Sequence, residues 1–151
     1  MGAWPGHHDA PEPDLSIALA AERFAPRLAR QAVGQLDNPS PDLRDAVMLL
    51  TSNLVTLACR GTSDPGQTIE LRAWMPRSRV RVEVRSVSDL LADEQVARDL
   101  EARWDQELLD ALADRWGIEH DRGRTEVWFE IDRQARAGQA HADSAASDSA
   151  A

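Results

Sequence analysis

Three short segments alternate between apolar and charged residues, and this pattern limits the possible folds more than any other feature. The segments are centred on Leu71, Val82 and Phe129, and their charged positions hold mostly arginine and glutamate. A two-residue period is typical of strands with one apolar face. Because such a sheet must be covered by helices on that face and meets water on the other, we predict an α/β two-layer sandwich with a mostly antiparallel sheet.

The charged positions indicate which strands are neighbours. The segment Pro76 to Ser78 is short enough to join the first two strands as a hairpin. On the outward face, pairs of Arg72 or Arg81 with Glu126 or Glu130 would favour adjacent strands. Each pair contributes modestly, so they support the arrangement of the strands and do not fix it.

Two tryptophans fall among the same outward positions, Trp74 on the first strand and Trp128 on the last. They are open to two interpretations. One is a small apolar patch that serves dimerisation; the other is an ordinary cross-strand aromatic pair. The strand pattern does not decide between them.

The helices are predicted from apolar residues at helical spacing. The clearest runs from Pro41 to Arg60, with Ser40 as its cap and Gly61 as its stop. Residues 16–36 show similar spacing but contain Pro26, which predicts a kink, or two pieces with the main helix starting near the proline. The lone cysteine, Cys59, falls within the second helix and is expected to be a buried, inert thiol.

A long segment without glycine or proline precedes the last strand. Residues 89–116 keep helical spacing throughout, with a bend or break expected near Arg103 to Gln106. Gly117 is the expected stop of this helix, and Asp121 to Gly123 the turn into the closing strand.

Composition sets the domain boundaries. Residues 1–14 and 134–151 have little to bury and are predicted to be disordered, which leaves 15–133 as one domain. His7 and His8 lie in the first tail without a third ligand, so no metal site is expected. The net charge of -9 disfavours nucleic acid, and without a membrane span or signal segment we expect a cytoplasmic protein.

Four sequence stretches together resemble a known family. LLTSNLVTLACR, RVRVEVRSVS, DQELLDALADRWG and TEVWFEID are similar to the motifs of the bacterial anti-sigma-factor serine kinases, over roughly Ala20 to Ile131. That family shares the ATPase domain of histidine kinases and gyrase. The resemblance implies the Bergerat-type ATPase fold, here with the flexible lid replaced by a helix.

The resemblance also implies where a nucleotide would bind. In active members a glutamate of the second helix polarises the attacking group, and an asparagine one turn later binds magnesium; here these positions hold Asn53 and Leu57. Asn53 accepts no proton at neutral pH, and Leu57 offers a hard cation no oxygen. An aspartate that recognises adenine is matched by Ser86, whose hydroxyl carries no charge.

The phosphate side of that site differs as well. Asp105, Gln106 and Glu107 stand where the family has a glycine motif whose backbone approaches the phosphates, so two carboxylates would repel the nucleotide. Only Thr125 matches the threonine of the family's last strand. We therefore expect no catalytic residue, no metal, no bound cofactor and no kinase activity; the alternative is ATP with magnesium, with Asn53 taking over the metal.

The resemblance implies a regulatory protein-interaction domain. Its expected partners are a sigma factor, an anti-sigma antagonist or a second copy of the chain, with Arg23 and Arg27 of the first helix as candidate contacts. Two alternatives remain open: an active ATP-binding serine kinase, and a small-molecule sensor that uses the former nucleotide pocket.

Overall fold

Within the described residues the sheet holds five strands, all of them antiparallel to their neighbours. The computed structural model describes residues 10–36, 40–60, 66–86, 106–121 and 123–133. Its elements are β1 (Leu15–Ala20), α1 (Ala25–Gly34), α2 (Pro41–Arg60), β2 (Thr68–Trp74), β3 (Arg79–Ser86), α3 (Gln106–Leu112), β4 (Arg115–Asp121) and β5 (Arg124–Asp132). The strand order is β1-β2-β3-β5-β4. The predicted α/β architecture with an antiparallel sheet is confirmed.

One hydrophobic core lies between the helices and the inner face of the sheet. Leu50 and Leu54 of α2 are completely buried, as are Val82 of β3 and Phe129 of β5. Ser40 caps α2 as predicted, since its Oγ accepts a hydrogen bond of 3.2 Å from the Leu43 amide. The two-residue period of the strands and the helical period of α2 thus meet in the same core.

The helix predicted over residues 16–36 is not present over residues 16–24. Leu15–Ala20 forms β1, and α1 begins at Ala25, next to Pro26, as the second of the two predicted arrangements requires. LSIALA also alternates, with Leu19 on the core side, so its pattern fits a strand equally well. The hydrogen-bonded ladder with β2, from Leu15 opposite Ala73 to Ala20 opposite Thr68, decides for the strand.

The helix before the last strand ends earlier than predicted. α3 stops at Leu112, and Gly117 lies inside strand β4, where its register partner is Trp128. A Cβ atom on Gly117 would lie 2.9 Å from the Trp128 ring, so glycine is needed for close approach and not as a helix stop. The predicted turn is confirmed, with Gly123 at a φ of 76°. The predicted helical residues 89–105 lie outside the described residues.

The segment before β1 contacts the end of β2. The carbonyl of Pro11 accepts a hydrogen bond of 2.7 Å from Trp74 Nε1, and Asp14 Oδ2 accepts one of 2.6 Å from the Met75 amide. Residues 1–9 and 134–151 lie outside the described residues, and their predicted disorder stays a prediction. No helix in the described ranges combines the length and the apolar character that crossing a membrane requires.

Candidate functional site

The outer face of the sheet, opposite α1 and α2, carries a network of ion pairs. We predicted that this face meets water, yet Arg81, Glu83, Glu126 and Glu130 are only 3–6% exposed. Neighbouring strands lie close together, so the long arginine side chains reach the carboxylates on the next strand. Their aliphatic parts then cover the residues beside them. The prediction of a simply solvated outer face is therefore wrong at its centre.

Glu130 is the hub of this network. Its carboxylate lies 3.0 Å from Arg115, 3.3 Å from Arg79 and 3.5 Å from Arg81, so residues of β3 and β4 meet on one residue of β5. The predicted pair of Arg81 with Glu130 is confirmed. Arg72 instead contacts Glu70 of its own strand, at 3.5 Å.

The two outward tryptophans form neither an exposed patch nor a cross-strand pair. Trp74 is 2% exposed and is the register partner of Arg81, whereas Trp128 is the register partner of Glu83. The Arg81 guanidinium lies 4.3 Å from the centre of the Trp128 ring, a cation–π distance. Both interpretations of the tryptophans are wrong, since β3 lies between their strands and its Arg81 packs on the Trp128 ring.

A second ion pair closes the end of the sheet. Arg115 donates two hydrogen bonds to Asp132, the longer of them 3.2 Å. These bonds lower the pKa of Asp132 against a smaller opposing effect of burial, and they raise the pKa of Arg115. The pair holds β4 against β5 where β4 begins and β5 ends.

Of the positions implied by the nucleotide resemblance, Ser86 and Thr125 lie together. They are register partners on β3 and β5, and Ser86 is buried. Asn53 and Leu57 lie on α2, both partly buried, and Leu57 packs against the core. Thr51, also on α2, was not predicted; its hydroxyl is fully buried and has no hydrogen-bond partner among the described residues.

The remaining nucleotide positions lie at the start of α3. Gln106 is its first residue, Glu107 is exposed in its first turn, and Asp105 lies outside the described residues. A magnesium nucleotide does not fit this set, because Leu57 supplies no oxygen and Glu107 adds negative charge. Within the described ranges, no group of three or more histidine, cysteine or acidic side chains is arranged to hold a metal ion.

An exposed apolar pair lies at the start of α1. Phe24 is 59% exposed and Leu28 50%, and Leu28 follows Phe24 by one turn. Arg23 and Arg27, both exposed, flank the pair. Arg27 lies on α1, but Arg23 precedes the helix, so its predicted place on the first helix is wrong; its guanidinium lies 5.8 Å from the centre of the Phe24 ring.

Phe24 and Leu28 belong to the apolar residues at helical spacing in 16–36, yet both are exposed. The side of α1 that faces the core holds Ala25, Ala29 and Val33. A stripe of these three residues at a spacing of four was a signal that Phe24 and Leu28 face outward. We name Arg23, Phe24, Arg27 and Leu28 the α1 patch.

The helix that carries most of the α1 patch packs on β1, an edge strand of the described sheet. β1 is the first strand of the order and pairs with β2 alone, so its other edge is open within the described sheet. Its sequence, LSIALA, contains no charge and no proline. Natural edge strands usually carry such residues to prevent pairing with other chains.

Comparison with known proteins adds no family, since no family model and no curated protein matches this chain at a significant level.

Proposed function

We propose that this protein is a regulatory protein-interaction domain of the anti-sigma-factor type, built on a Bergerat-type ATPase fold that no longer binds ATP or phosphorylates. The observation that carries the proposal is the α1 patch, two large apolar side chains at least half exposed and flanked by two arginines. Exposed apolar groups with a polar rim are typical of protein interfaces.

The α1 patch has the chemistry of a small docking site. Burial of a complete leucine or phenylalanine side chain contributes about 1.5–3 kcal/mol, so burial of the exposed halves of Phe24 and Leu28 contributes about 1 kcal/mol each. Arg23 and Arg27 add a preference for a partner with carboxylates around an apolar contact. A sigma factor is the partner that the family resemblance favours, ahead of an anti-sigma antagonist or a second copy.

The loss of ATP binding is supported by the chemistry of α2. Leu57 packs on the core and leaves no oxygen where magnesium would bind. Isothermal titration calorimetry with ATP and ADP in the presence of magnesium tests this part. We expect no heat of binding up to millimolar nucleotide. Saturable, magnesium-dependent binding at micromolar concentration would make the serine kinase the better proposal, with Asn53 the first residue to replace.

The interaction itself is tested with substitutions in the α1 patch. The double variant Phe24→Ala/Leu28→Ala removes the apolar pair, and Leu49→Ala on α2 is a matched control, since Leu49 is 44% exposed. Sigma factors and antagonist domains encoded in the same genome are titrated against each variant, and sedimentation measures self-association. We expect the double variant to weaken binding at least tenfold and the control to leave it unchanged. Equal binding by all variants, or a monomer that binds none of these proteins, would refute the proposal.

A further inference from the structure

An open cavity of about 290 Å³ lies on the outer face of the sheet; of the positions implied by the nucleotide resemblance, Ser86 lines it, and Asn53 and Leu57 do not. Four neighbouring strands, β1, β2, β3 and β5, contribute to its lining. The space arises because β1 presents the small residues Ser16 and Ala18 outward, beside the long side chains of Glu70 and Arg85. It was not predicted, because β1 was taken for a helix.

The charge of Arg85 is already balanced within the sheet. Its Nε lies 2.6 Å from Glu126 Oε2, a short charge-assisted hydrogen bond. Burial opposes the charge of Arg85, but this bond and the neighbouring carboxylates together raise its pKa. Arg85 therefore forms part of the wall and does not supply the charge that would bind a ligand.

Two other charged groups in the lining keep hydrogen-bonding capacity. The Glu70 side chain is 45% exposed, and its nearest arginines lie 3.5 and 3.9 Å away, beyond the usual length of a charge-assisted hydrogen bond, about 2.7–2.9 Å. Arg124 of β5 is exposed and makes no ion pair in the part of the chain that the structure describes. The cavity thus offers one carboxylate and one guanidinium.

We propose that this cavity binds a small aliphatic zwitterion of the free amino-acid type. Arg124 holds its carboxylate, Glu70 holds its ammonium group, and the outward Ala18 contacts its aliphatic part. A simple anion would meet the carboxylate of Glu70, and a simple cation would meet Arg124, so only a ligand with both charges satisfies both groups. The volume lies at the lower end of the usual range for ligand pockets, about 300–1,000 Å³, which restricts the ligand to a small molecule.

The hydroxyl groups of the lining suit the same ligand. Ser16 and Thr68 stand on neighbouring strands at the cavity, and a hydroxyl can both donate to a carboxylate and accept from an ammonium group. The site is open and its charges are partly solvated, so we expect binding in the high micromolar to millimolar range. The proposal is independent of the α1 patch, and either can fail without the other.

The first experiment titrates the full chain with three probes of nearly equal shape, followed by amide NMR shifts. L-leucine carries both charges, 4-methylpentanoate lacks the ammonium group and 3-methylbutylamine lacks the carboxylate. We expect saturable shifts with L-leucine and at least tenfold weaker binding of the other two. Three outcomes would overturn the proposal. Equal binding of 4-methylpentanoate would show an anion site, and equal binding of 3-methylbutylamine would show a cation site. Failure of L-leucine to bind at 10 mM, roughly the upper end of the expected range, would show that the cavity is not a site for it.

Substitution then locates the site. Arg124→Gln removes the guanidinium, and because Arg124 is exposed we expect the fold to be unchanged by circular dichroism. The matched control is Arg30→Gln on α1, where an equally exposed arginine lies on the other layer. L-leucine should bind at least tenfold more weakly to Arg124→Gln and as before to Arg30→Gln. Unchanged binding to Arg124→Gln would place L-leucine elsewhere and overturn the proposal.

Discussion

At the scale of single residues, Gly117 stabilises the fold because it has no side chain. The Trp128 ring occupies the space that a Cβ would need, at 2.9 Å. Gly117→Ala should therefore cost about 1–3 kcal/mol, the usual penalty for overpacking, measured by urea unfolding. Gly34→Ala is the matched control: its Cβ would meet only the flexible end of Met48, at 3.0 Å, and alanine is favoured in a helix. Equal losses in both variants would contradict this account.

Asp132 gives the stability a predictable dependence on pH. Hydrogen bonds from Arg115 lower the pKa of Asp132 in the folded state, so the unfolded chain binds the proton more readily. The free energy of unfolding therefore falls as the pH drops below the pKa of Asp132 in the unfolded chain, about 3.9. Because Arg115 is 40% exposed, the pair contributes only about 1 kcal/mol.

Asp132→Asn should lower the free energy of unfolding by that amount at pH 7, and the difference from the parent chain should shrink as the pH falls below about 3.9 and vanish only below the lowered folded-state pKa of Asp132. Urea unfolding at pH 7, 5 and 3 measures it, with the exposed Asp45→Asn as control. A difference that stays constant with pH would show that Asp132 acts by packing and not by charge.

At the scale of elements, Glu130 connects three strands. Its carboxylate meets arginines of β3 and β4 while it lies on β5 with 3% exposure. Removal of one partner from a buried ionic group typically costs 3–5 kcal/mol. Glu130→Gln keeps the shape and one acceptor, so we expect a loss of about 2–3 kcal/mol by thermal or urea unfolding. Glu119→Gln, exposed on β4, should change stability little; an equal loss there would argue against a special role for Glu130.

The sequence predicted those elements whose own period is unambiguous. β2, β3 and β5 alternate between large apolar and charged residues, and α2 combines a cap with a long apolar stripe, so local pattern and tertiary contacts agree. β1 and the first two residues of β4, Arg115 and Trp116, were predicted to be helical because LSIALA and the residues around Trp116 fit both periods. Their hydrogen bonds to β2 and β5 decide the outcome, and such long-range pairing is not encoded in local periodicity.

The candidate sites were also predicted only where local sequence pattern was sufficient. Arg23 and Arg27 were recognised from sequence, but Phe24 and Leu28 were not, because their exposure depends on which side of α1 meets the core. The cavity beside Arg124 needs four strands in register, including the missed β1. Site residues that lie on one element can be predicted from the sequence. A site formed by several elements can be recognised only when the arrangement of those elements is known.

At the scale of the whole molecule, the sheet separates two kinds of packing. Its inner face is held by an apolar core, whereas its outer face is held by ion pairs and by tryptophans beneath arginines. The residues before β1 complete the outer face. The Pro11 carbonyl accepts a hydrogen bond from the Trp74 indole, and the Asp14 carboxylate accepts one from the Met75 amide. From these two hydrogen bonds we predict that the folded unit begins before Leu15, the boundary that composition suggested.

This boundary is tested with two chains that both end at Ala151, one starting at Ala10 and the other at Leu15. The shorter chain loses two hydrogen bonds, each contributing about 0.5–1.5 kcal/mol, so it should be about 1–3 kcal/mol less stable in urea. Trp74 should also become more accessible to water, which shifts its fluorescence to longer wavelength. In the longer chain, Glu12→Ala is the control, since it alters the same segment without removing either bond. Equal stability of the two chains would return the boundary to Leu15 and leave Trp74 buried by the sheet alone.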